Sequence, residues 1–458
     1  MTTDPSPDGG HDGGHDEPAR VLRSVAEHVA AVLGRVAPLP VQDVPLAALA
    51  AGAPGRVLGD DVRAVAPVPP FDGAAMDGYA VRLTDLPADG SAVTLPVVGD
   101  ARPGAPAPAG GGGGGAVRIM TGAPVPEWAD AVVPVERTST GRFVAGGPTT
   151  EREVTLARQP RAHVRRRAED VRPGDLLARA GDAVTPALVA VAASAGLVAL
   201  GVRRRPVVAV LSTGSELVPA DAGAVAPAPA AGRIPDSNSL LLAALVRAAG
   251  ADAVRVGAVP DDADALRAAL DDAVGVRSGE GPGPDVDLVV TTGGVSAGAS
   301  DVVRAVLASP DDRLRDVDVA AVALRPGRPQ ALARWRGVPW VALPGSPVSA
   351  FVSFALFVRP AVAVLAGRVP PATVRRRAAG AWSSPPGRVH VVPVRTLASG
   401  EVERAEAPDG AAGGHATSAL LGADALAVVP DGTTKVEAGD ELDVLPLDGT
   451  GSPGPGSP

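Results

Sequence analysis

A chain of 458 residues is long enough for three or four domains of ordinary size. Hydrophobic residues make up 46% of it and aromatic residues only 2%, so its cores must be filled by Ala, Val and Leu. Its 42 basic and 51 acidic residues give a net charge of -9, which argues against a nucleic-acid footprint, and the absence of cysteine excludes disulfides, thiolate metal sites and a thiol nucleophile. A cysteine-free, acidic chain of this kind is expected in a cytoplasm.

Residues 1–18 are rich in Gly, Asp and Pro and read as a disordered tail, in which His11, Asp12, His15 and Asp16 are a weak chelating set. The run from Val21 to Val36 has helical periodicity, and Val44 to Val62 reads as a second helix and its exit. From Ala64 to Val144 short Val-rich strands alternate with Pro and Gly, as in a small β domain, and the glycine run Gly110 to Gly115 reads as a loop linker. No Lys-Ser or Lys-Thr pair follows that run, so it is not a phosphate loop.

Within this β region Pro69-Pro-Phe-Asp-Gly-Ala-Ala-Met-Asp-Gly-Tyr-Ala-Val81 concentrates rare residue types. Each Asp-Gly pair presents a carboxylate on a tight turn, so Asp72 and Asp77 are candidates for ligand contact, with Phe71 and Tyr79 as an aromatic plug. Ala183 to Val202 and Pro339 to Val358 are uncharged and about 20 residues long, the length of a membrane span. The first is Ala-rich with Pro186 and Gly196, and the second is broken by Pro344-Gly-Ser-Pro347, so both read as buried elements of a core.

Between Pro206 and Leu365 the predicted strands Val207 to Leu211, Val254 to Val259 and Leu288 to Thr292 alternate with helices over Asn238 to Ala249 and Ala263 to Ala273. That order implies βαβ units and a mostly parallel sheet. Val374 to Leu447 returns to short strands and reads as a second small β domain. The clusters Arg165 to Arg167, Arg203 to Arg205 and Arg375 to Arg377 read as solvated surface, and His28, His163, His390 and His415 as surface or local hydrogen-bonding residues.

Ligands of open α/β sheets collect at the carboxyl ends of the strands. There the sequence places Ser212-Thr-Gly-Ser-Glu-Leu217, Asp261-Asp262, Thr291-Thr-Gly-Gly-Val-Ser-Ala-Gly298 with Asp301, and Pro344-Gly-Ser-Pro-Val-Ser349. Glycine loops let backbone N–H groups approach an oxyanion, and neighbouring carboxylates suit a hard cation such as Mg²⁺. Asp301 also suits a plain helix cap. Arg325-Pro-Gly-Arg-Pro329 holds two guanidinium forks on a stiff turn, either for an oxyanion or as a rigid surface turn.

Met76-Asp-Gly-Tyr-Ala-Val81, Arg118-Ile-Met-Thr-Gly-Ala-Pro124 with Ala129-Asp-Ala-Val-Val133, Ser212-Thr-Gly-Ser-Glu-Leu217, Asp236-Ser-Asn238, Thr292-Gly-Gly-Val-Ser296 with Asp301, Arg325-Pro-Gly-Arg-Pro329 and Leu343-Pro-Gly-Ser-Pro-Val-Ser349 together resemble the molybdopterin molybdenumtransferases in order and spacing. The resemblance spans Val21 to Leu447. It implies an α/β multidomain protein: residues 19–63 with 145–204 as an elongated N-terminal helical and β domain, 64–144 as the small β domain inserted in it, 205–369 as the molybdopterin-binding α/β domain, 370–447 as a C-terminal β domain, and 448–458 as a second tail. It implies a homodimer that inserts molybdenum from molybdate into adenylylated molybdopterin and releases AMP, with Mg²⁺ as the ion. Partners would be molybdopterin adenylyltransferase upstream and molybdoenzymes downstream, with neither nucleic acid nor membrane.

Carried over residue by residue, the resemblance gives Glu216, Asp261 and Asp301 to the metal, with Glu216, Asp301, Asp236, Asp77 and Thr121 in catalysis. Gly293, Gly294 and Ser296 would cradle phosphate, Pro344 and Pro347 would shape the pterin pocket, and Arg325, Arg328 and Arg388 would bind the anion. Asp77 and Thr121 would reach the site of the partner subunit, which leaves Asp72 to turn chemistry. The chain departs from the family pattern at Ala321 for a lysine, Ser346 for an asparagine, Ala168 for a glycine and Gly414 for a serine, and Arg325 and Arg328 stand for lysines. These departures leave room for a second reading, a molybdopterin-binding scaffold without insertion activity. An adenylyltransferase is a third, opposed by the extra N- and C-terminal modules.

Overall fold

The computed structural model describes residues 22–52, 56–109, 113–144, 150–220, 232–275, 285–296, 301–405 and 417–447. The expected tails at 1–18 and 448–458, with the His11 to Asp16 set, lie outside the described residues, as do Gly110 to Gly112, Gly298, Gly414 and His415. The chain divides into two compact units, Val41–Val202 and a larger one formed by Met1–Pro40 with Arg203–Pro458.

The larger unit is organised by a six-stranded sheet in the order Asp252–Val259, Val207–Thr213, Leu288–Thr292, Val338–Leu343, Pro329–Trp335, Leu314–Ala321. The first four strands are parallel and the last two antiparallel, so the fold is α/β with a mostly parallel sheet. Parallel strands covered on both faces must be apolar at every position, and alternate residues here enter different cores. Val208, Val210, Leu288, Val290, Val341 and Leu343 pack in one core, and Ala209, Leu211, Val289, Trp340 and Ala342 in the other. The helices Ser237–Ala248 and Ala263–Ala273 begin at Asp236 and Asp262, whose carboxylates accept from the N–H groups of Ser239 and Ala265.

The first core is filled by the continuous helical run Pro347–Leu365, with a π-helical turn at Phe354–Val358. By length and hydropathy alone this run could cross a membrane, but 83% of its most apolar stretch is buried inside the protein. The helix Val25–Leu33 starts at a reciprocal Ser24–Glu27 capping box and packs His28 edge-on against Phe357 at 4.6 Å. His28 is fully buried, so of the two places expected for it, surface or local hydrogen bonding, the surface is excluded, and its Nδ1 lies 3.5 Å from Arg23 Nη1. Likewise Arg203 to Arg205 are half-buried: Arg204 ion-pairs with Asp287, and Arg203 donates to the Leu39 carbonyl at 3.0 Å. The carboxyl-terminal part forms a separate sheet in the order Leu324–Arg325, Val389–Thr396, Ala425–Val429, Glu441–Pro446, Val374–Arg377.

The smaller unit contains a five-stranded sheet ordered Ala131–Pro134, Gly78–Val81, Ala116–Ile119, Val93–Ala101, Glu153–Leu156. Tyr79 and Val81 face one core and Ala80 the other, which is why the Gly-Tyr-Ala-Val segment is apolar throughout. Within Val44 to Val62 the expected second helix is the short Leu46–Gly52, and a strand Val41–Pro45 leads into it. The Ala183 to Val202 segment contains a helix Pro186–Ser194, capped by Thr185, that buries its Leu188 and Ala192 face in a core shared with Leu46, Leu49, Leu200 and Val202 and leaves most of its other residues exposed.

Burial, reinforced by the charge of Arg23, pushes the pKa of His28 down from 6.5 to about 4, with Asp318 opposing and Arg35 adding to the shift. The unfolded chain therefore binds a proton near pH 6.5 that the folded chain refuses until about pH 4. Stability should fall as the pH drops through that window, by about 3 kcal/mol from this ring alone. Thermal unfolding of the wild type and His28→Leu between pH 7 and 4 checks this: the variant should show the shallower slope, and parallel slopes would refute it.

Candidate functional site

The carboxyl edge of the parallel strands opens into a cavity of about 480 Å³. Its lining includes Thr213, Gly214 and Glu216 after the first strand of the chain order, Asp261 after the second, Gly293, Gly294 and Ser296 after the third, and Pro344, Gly345 and Pro347 after the fourth. Asp236, Asn238 and Asp301, at the starts of helices, complete it. Of the residues expected from sequence, Glu216, Asp236, Asp261, Asp301, Gly293, Gly294, Ser296, Pro344 and Pro347 are thus brought together.

Close backbone approach dictates the glycines. Gly293 has φ +95°, and a Cβ there would sit 2.5 Å from the Thr213 carbonyl oxygen; Gly294 has φ +63°, with a Cβ 2.9 Å from Thr213 Oγ1. Both a left-handed backbone and a lack of space exclude a side chain. Gly345 stacks on the same turn, its would-be Cβ 3.2 Å from the Gly293 Cα, and the Gly293 N–H donates to the Leu343 carbonyl at 3.1 Å.

The acids have different local roles. Asp236 is 1% exposed and spends both oxygens on Ser239, accepting from its N–H at 3.1 Å and its hydroxyl at 2.5 Å. It therefore anchors the helix that presents Asn238. Asp261 accepts from the Ser215 N–H at 3.0 Å while its own N–H donates to Ser215 Oγ at 3.0 Å, which couples it to the loop carrying Glu216. Asp301 stands at the N-cap of the helix Val302–Ala308 without a side-chain capping hydrogen bond, so the helix-cap explanation does not account for its carboxylate. Glu216 and Asp261 are exposed, and Asp301 half-buried.

Among the described residues no three His, Cys, Asp or Glu side chains converge as a metal cage. Magnesium does not require one: it keeps several waters and is commonly held by one or two carboxylates together with substrate phosphates. Glu216, Asp261 and Asp301 fit that kind of site.

Sequence reasoning quoted Asn238 in a motif but gave it no task. Its amide donates to the Gly345 carbonyl at 2.7 Å and to Thr292 Oγ1 at 3.2 Å, while the Thr292 hydroxyl donates to the Pro344 carbonyl at 2.8 Å. One side chain so ties three lining loops. Its Oδ1 and the hydroxyl of Thr213 are buried and have no hydrogen-bond partner among the described residues.

Arg325, Arg328 and Arg388 are not among the cavity's lining residues. Arg325 pairs in register with His390 of the carboxyl-terminal sheet, and Arg325 and Arg328 are both exposed. Their loop is held by Gln330, whose amide donates to the Gly327 carbonyl and to Ser353 Oγ, both at 2.8 Å. Ser346, at a departure from the family pattern, caps the helix Pro347–Ser353 and shares a 2.6 Å hydrogen bond with Ser349.

In the smaller unit Asp77 is exposed, and its Oδ1 accepts from both the N–H and the hydroxyl of Thr121 at 2.7 Å. These two donors hold its carboxyl below the usual range, the backbone bond contributing most. Gly78 is obligatory because a Cβ there would lie 2.0 Å from the Val133 carbonyl oxygen. Tyr79 is fully buried and donates to Glu151 at 2.7 Å, but Phe71 is 43% exposed and does not join it; the aromatic partner is Phe143 at 5.7 Å. Asp72 ion-pairs with Arg166 and accepts from the Arg167 N–H, both at 2.7 Å, a structural tie. Ala168, where the family pattern has glycine, keeps the glycine-like φ of +60°.

A mostly parallel α/β sheet with glycine loops and carboxylates at its carboxyl edge defines an α/β protein of the class that takes its ligand at the strand ends. The comparisons with known proteins narrow this. Residues 23–196 match the MoeA N-terminal region (domain I and II), 209–364 the family described as "Probable molybdopterin binding domain", and 375–447 the MoeA C-terminal region (domain IV). The chain is 38% identical over 432 residues to molybdopterin molybdenumtransferase 2 of Mycobacterium tuberculosis, covering 93% of this chain and 100% of the relative. It is 34% identical over 316 residues to the molybdopterin molybdenumtransferase of Haemophilus influenzae, covering 69% and 72%. A crystal structure of the molybdopterin biosynthesis MoeA protein from Pyrococcus horikoshii superposes with a TM-score of 0.73 at 26% identity, over 93% of this chain and 100% of that one. The chain belongs to the molybdopterin molybdenumtransferase family.

Replacing Asn238 by Ala should lower the stability of the larger unit by about 1 kcal/mol, because the Gly345 carbonyl loses an exposed donor and Thr292 Oγ1 a part-buried one. Urea unfolding followed by tryptophan fluorescence measures it; an unchanged midpoint would mean the three loops hold together without the amide.

Proposed function

We propose that this protein inserts molybdenum from molybdate into adenylylated molybdopterin and releases AMP, acting as a cytoplasmic homodimer with Mg²⁺. The observation that carries this reading is the single cavity that gathers Glu216, Asp261 and Asp301 around the Gly293–Gly294 turn, in a chain whose three regions all match the family.

The reaction must hold a phosphoanhydride, two thiolates and a tetrahedral dianion together, and the main barrier to that assembly is charge repulsion. The cramped Gly293–Gly294 backbone lets a phosphate come within hydrogen-bond reach of main-chain donors, which no residue with a Cβ would permit. Asn238 fixes the distance between that turn and the Pro344–Gly345 loop, so the pterin end and the phosphate end keep their spacing. Asp261 holds the loop that carries Glu216, and Glu216, Asp261 and Asp301 would bind Mg²⁺, whose chemistry is to offset the negative charge of the phosphates. Arg325, Arg328 and Arg388 serve the incoming molybdate, with planar forks in place of lysine point charges. The Asp77 carboxylate, kept ionised by Thr121, acts from the second subunit.

Purified protein supplied with adenylylated molybdopterin, molybdate and Mg²⁺ should release AMP, and Asp301→Asn should reduce that release by at least about a hundredfold if the carboxylate serves the metal. Measurable pterin binding with no AMP above a protein-free control would replace this reading with that of a scaffold; unchanged turnover in Asp301→Asn would remove Asp301 from the site.

Subunit sharing makes a separate prediction. Asp77→Asn and Asp301→Asn proteins, each inactive alone, should regain activity when unfolded together, mixed and refolded, because each mixed dimer then contains one intact site. No recovery in demonstrably mixed dimers would show that Asp77 serves its own subunit or none.

A further inference from the structure

The lining of the cavity carries Glu216, Asp236, Asp261 and Asp301 but no lysine or arginine among the described residues. A ligand with phosphate groups entering so acidic a site needs cations beyond a single metal ion. Two arginines that sequence reasoning passed over lie against its wall.

Arg233 donates from Nη1 to the carbonyl of Ser215, the residue next to Glu216. Its place is fixed by a short parallel ladder in which Ile234 pairs with Leu217 and Pro235 with Val218. Ser215 is held on its other groups by Asp261, so Arg233 completes a clamp on the Glu216 loop. Arg304, in the first turn of the helix that Asp301 begins, donates its N–H to the Gly294 carbonyl at 3.1 Å and Nη1 to the Ser296 carbonyl at 3.4 Å. Neither arginine forms an ion pair among the described residues. A guanidinium has five N–H donors, and one bond to a carbonyl leaves the charge and most donors uncommitted by it. Arg233 is exposed and Arg304 half-buried, and although neither lines the cavity itself, each head stands on a carbonyl of a loop that supplies lining residues.

We propose that Arg233 and Arg304 are the counter-cations of the cavity, one on each of two of its loops, which bind the phosphate oxygens of a nucleoside monophosphate group while bracing the loops that carry Glu216 and Ser296. This rests on the reading given under Proposed function and adds to it the source of positive charge on the adenylate side, distinct from Arg325, Arg328 and Arg388. Charge is the essential property: the braces alone would be satisfied by any donor, whereas phosphate binding requires a cation and weakens with salt.

The test is equilibrium dialysis of AMP with Mg²⁺ against the full chain, for wild type, Arg233→Gln, Arg304→Gln and the matching Arg→Lys variants, at low and high salt, with thermal melting as a control for folding. Each Gln variant should weaken AMP binding by about tenfold at low salt and less at high salt, and each Lys variant should recover most of the loss. Gln variants within about twofold of wild type, or a loss that Lys does not restore and salt does not change, would overturn the proposal. AMP release from adenylylated molybdopterin is followed in parallel. Arginine-dependent AMP binding without release keeps this inference and sinks molybdenum insertion; release with arginine-independent binding does the reverse; no AMP binding by the wild type sinks both.

Discussion

The turn at Gly293 and Gly294 passes so close to the end of the neighbouring strand that the Thr213 carbonyl and hydroxyl occupy the space a Cβ would need at either position. That contact sets how the strand ends meet. Because the Thr213 end and the Gly293 turn touch, the loops that follow them open on the same side, and Asp261 and Asp301 are carried into one cavity with Glu216. The Pro344–Gly345 loop is drawn in by Asn238 and Thr292. Sheet geometry supplies the general position of such a site; this backbone contact fixes it to atomic spacing.

The rigidity behind the cavity comes from burial on both sides of the sheet. Alternate residues of Val207–Thr213 and Leu288–Thr292 are committed to separate cores, so a slip of either strand would exchange both sets at once. The helical run Pro347–Leu365 begins at the cavity wall and ends in one core, which couples the Pro344–Gly345 loop directly to that core. Function thus sits on the least deformable elements, and the polar staples of Asn238, Asp236 and Asp261 transmit that rigidity to the loops.

Much of this was legible in the sequence because the relevant signals are local. Alternating strand and helix patterns located Val207–Thr213, Leu288–Thr292 and Ala263–Ala273 closely, and glycine pairs after strands marked the loops. What failed was non-local. Whether a helix is buried depends on what covers it, so the Ala-rich Pro186–Ser194 helix, expected as a buried element, enters its core by one face only, and no local signal marks that Phe357 closes over His28. Phe71 stood beside Tyr79 in sequence, yet the ring that packs on Tyr79 is Phe143, more than sixty residues away. Asn238 donates to the Gly345 carbonyl 107 positions away, and Arg233 and Arg304 donate to carbonyls 18 and 8 positions away; no composition or spacing rule announces such partners.

The central claim is that the adenylate of the substrate lies on the Gly293–Gly294 turn between the Glu216 and Asp301 walls. A crystal structure of the protein with AMP and Mg²⁺ tests it most directly. The account predicts nucleotide density in that cavity, with its phosphate on the Gly293–Ser296 loop and the metal against Glu216, Asp261 or Asp301; ordered AMP elsewhere, with the cavity occupied only by water, would contradict it.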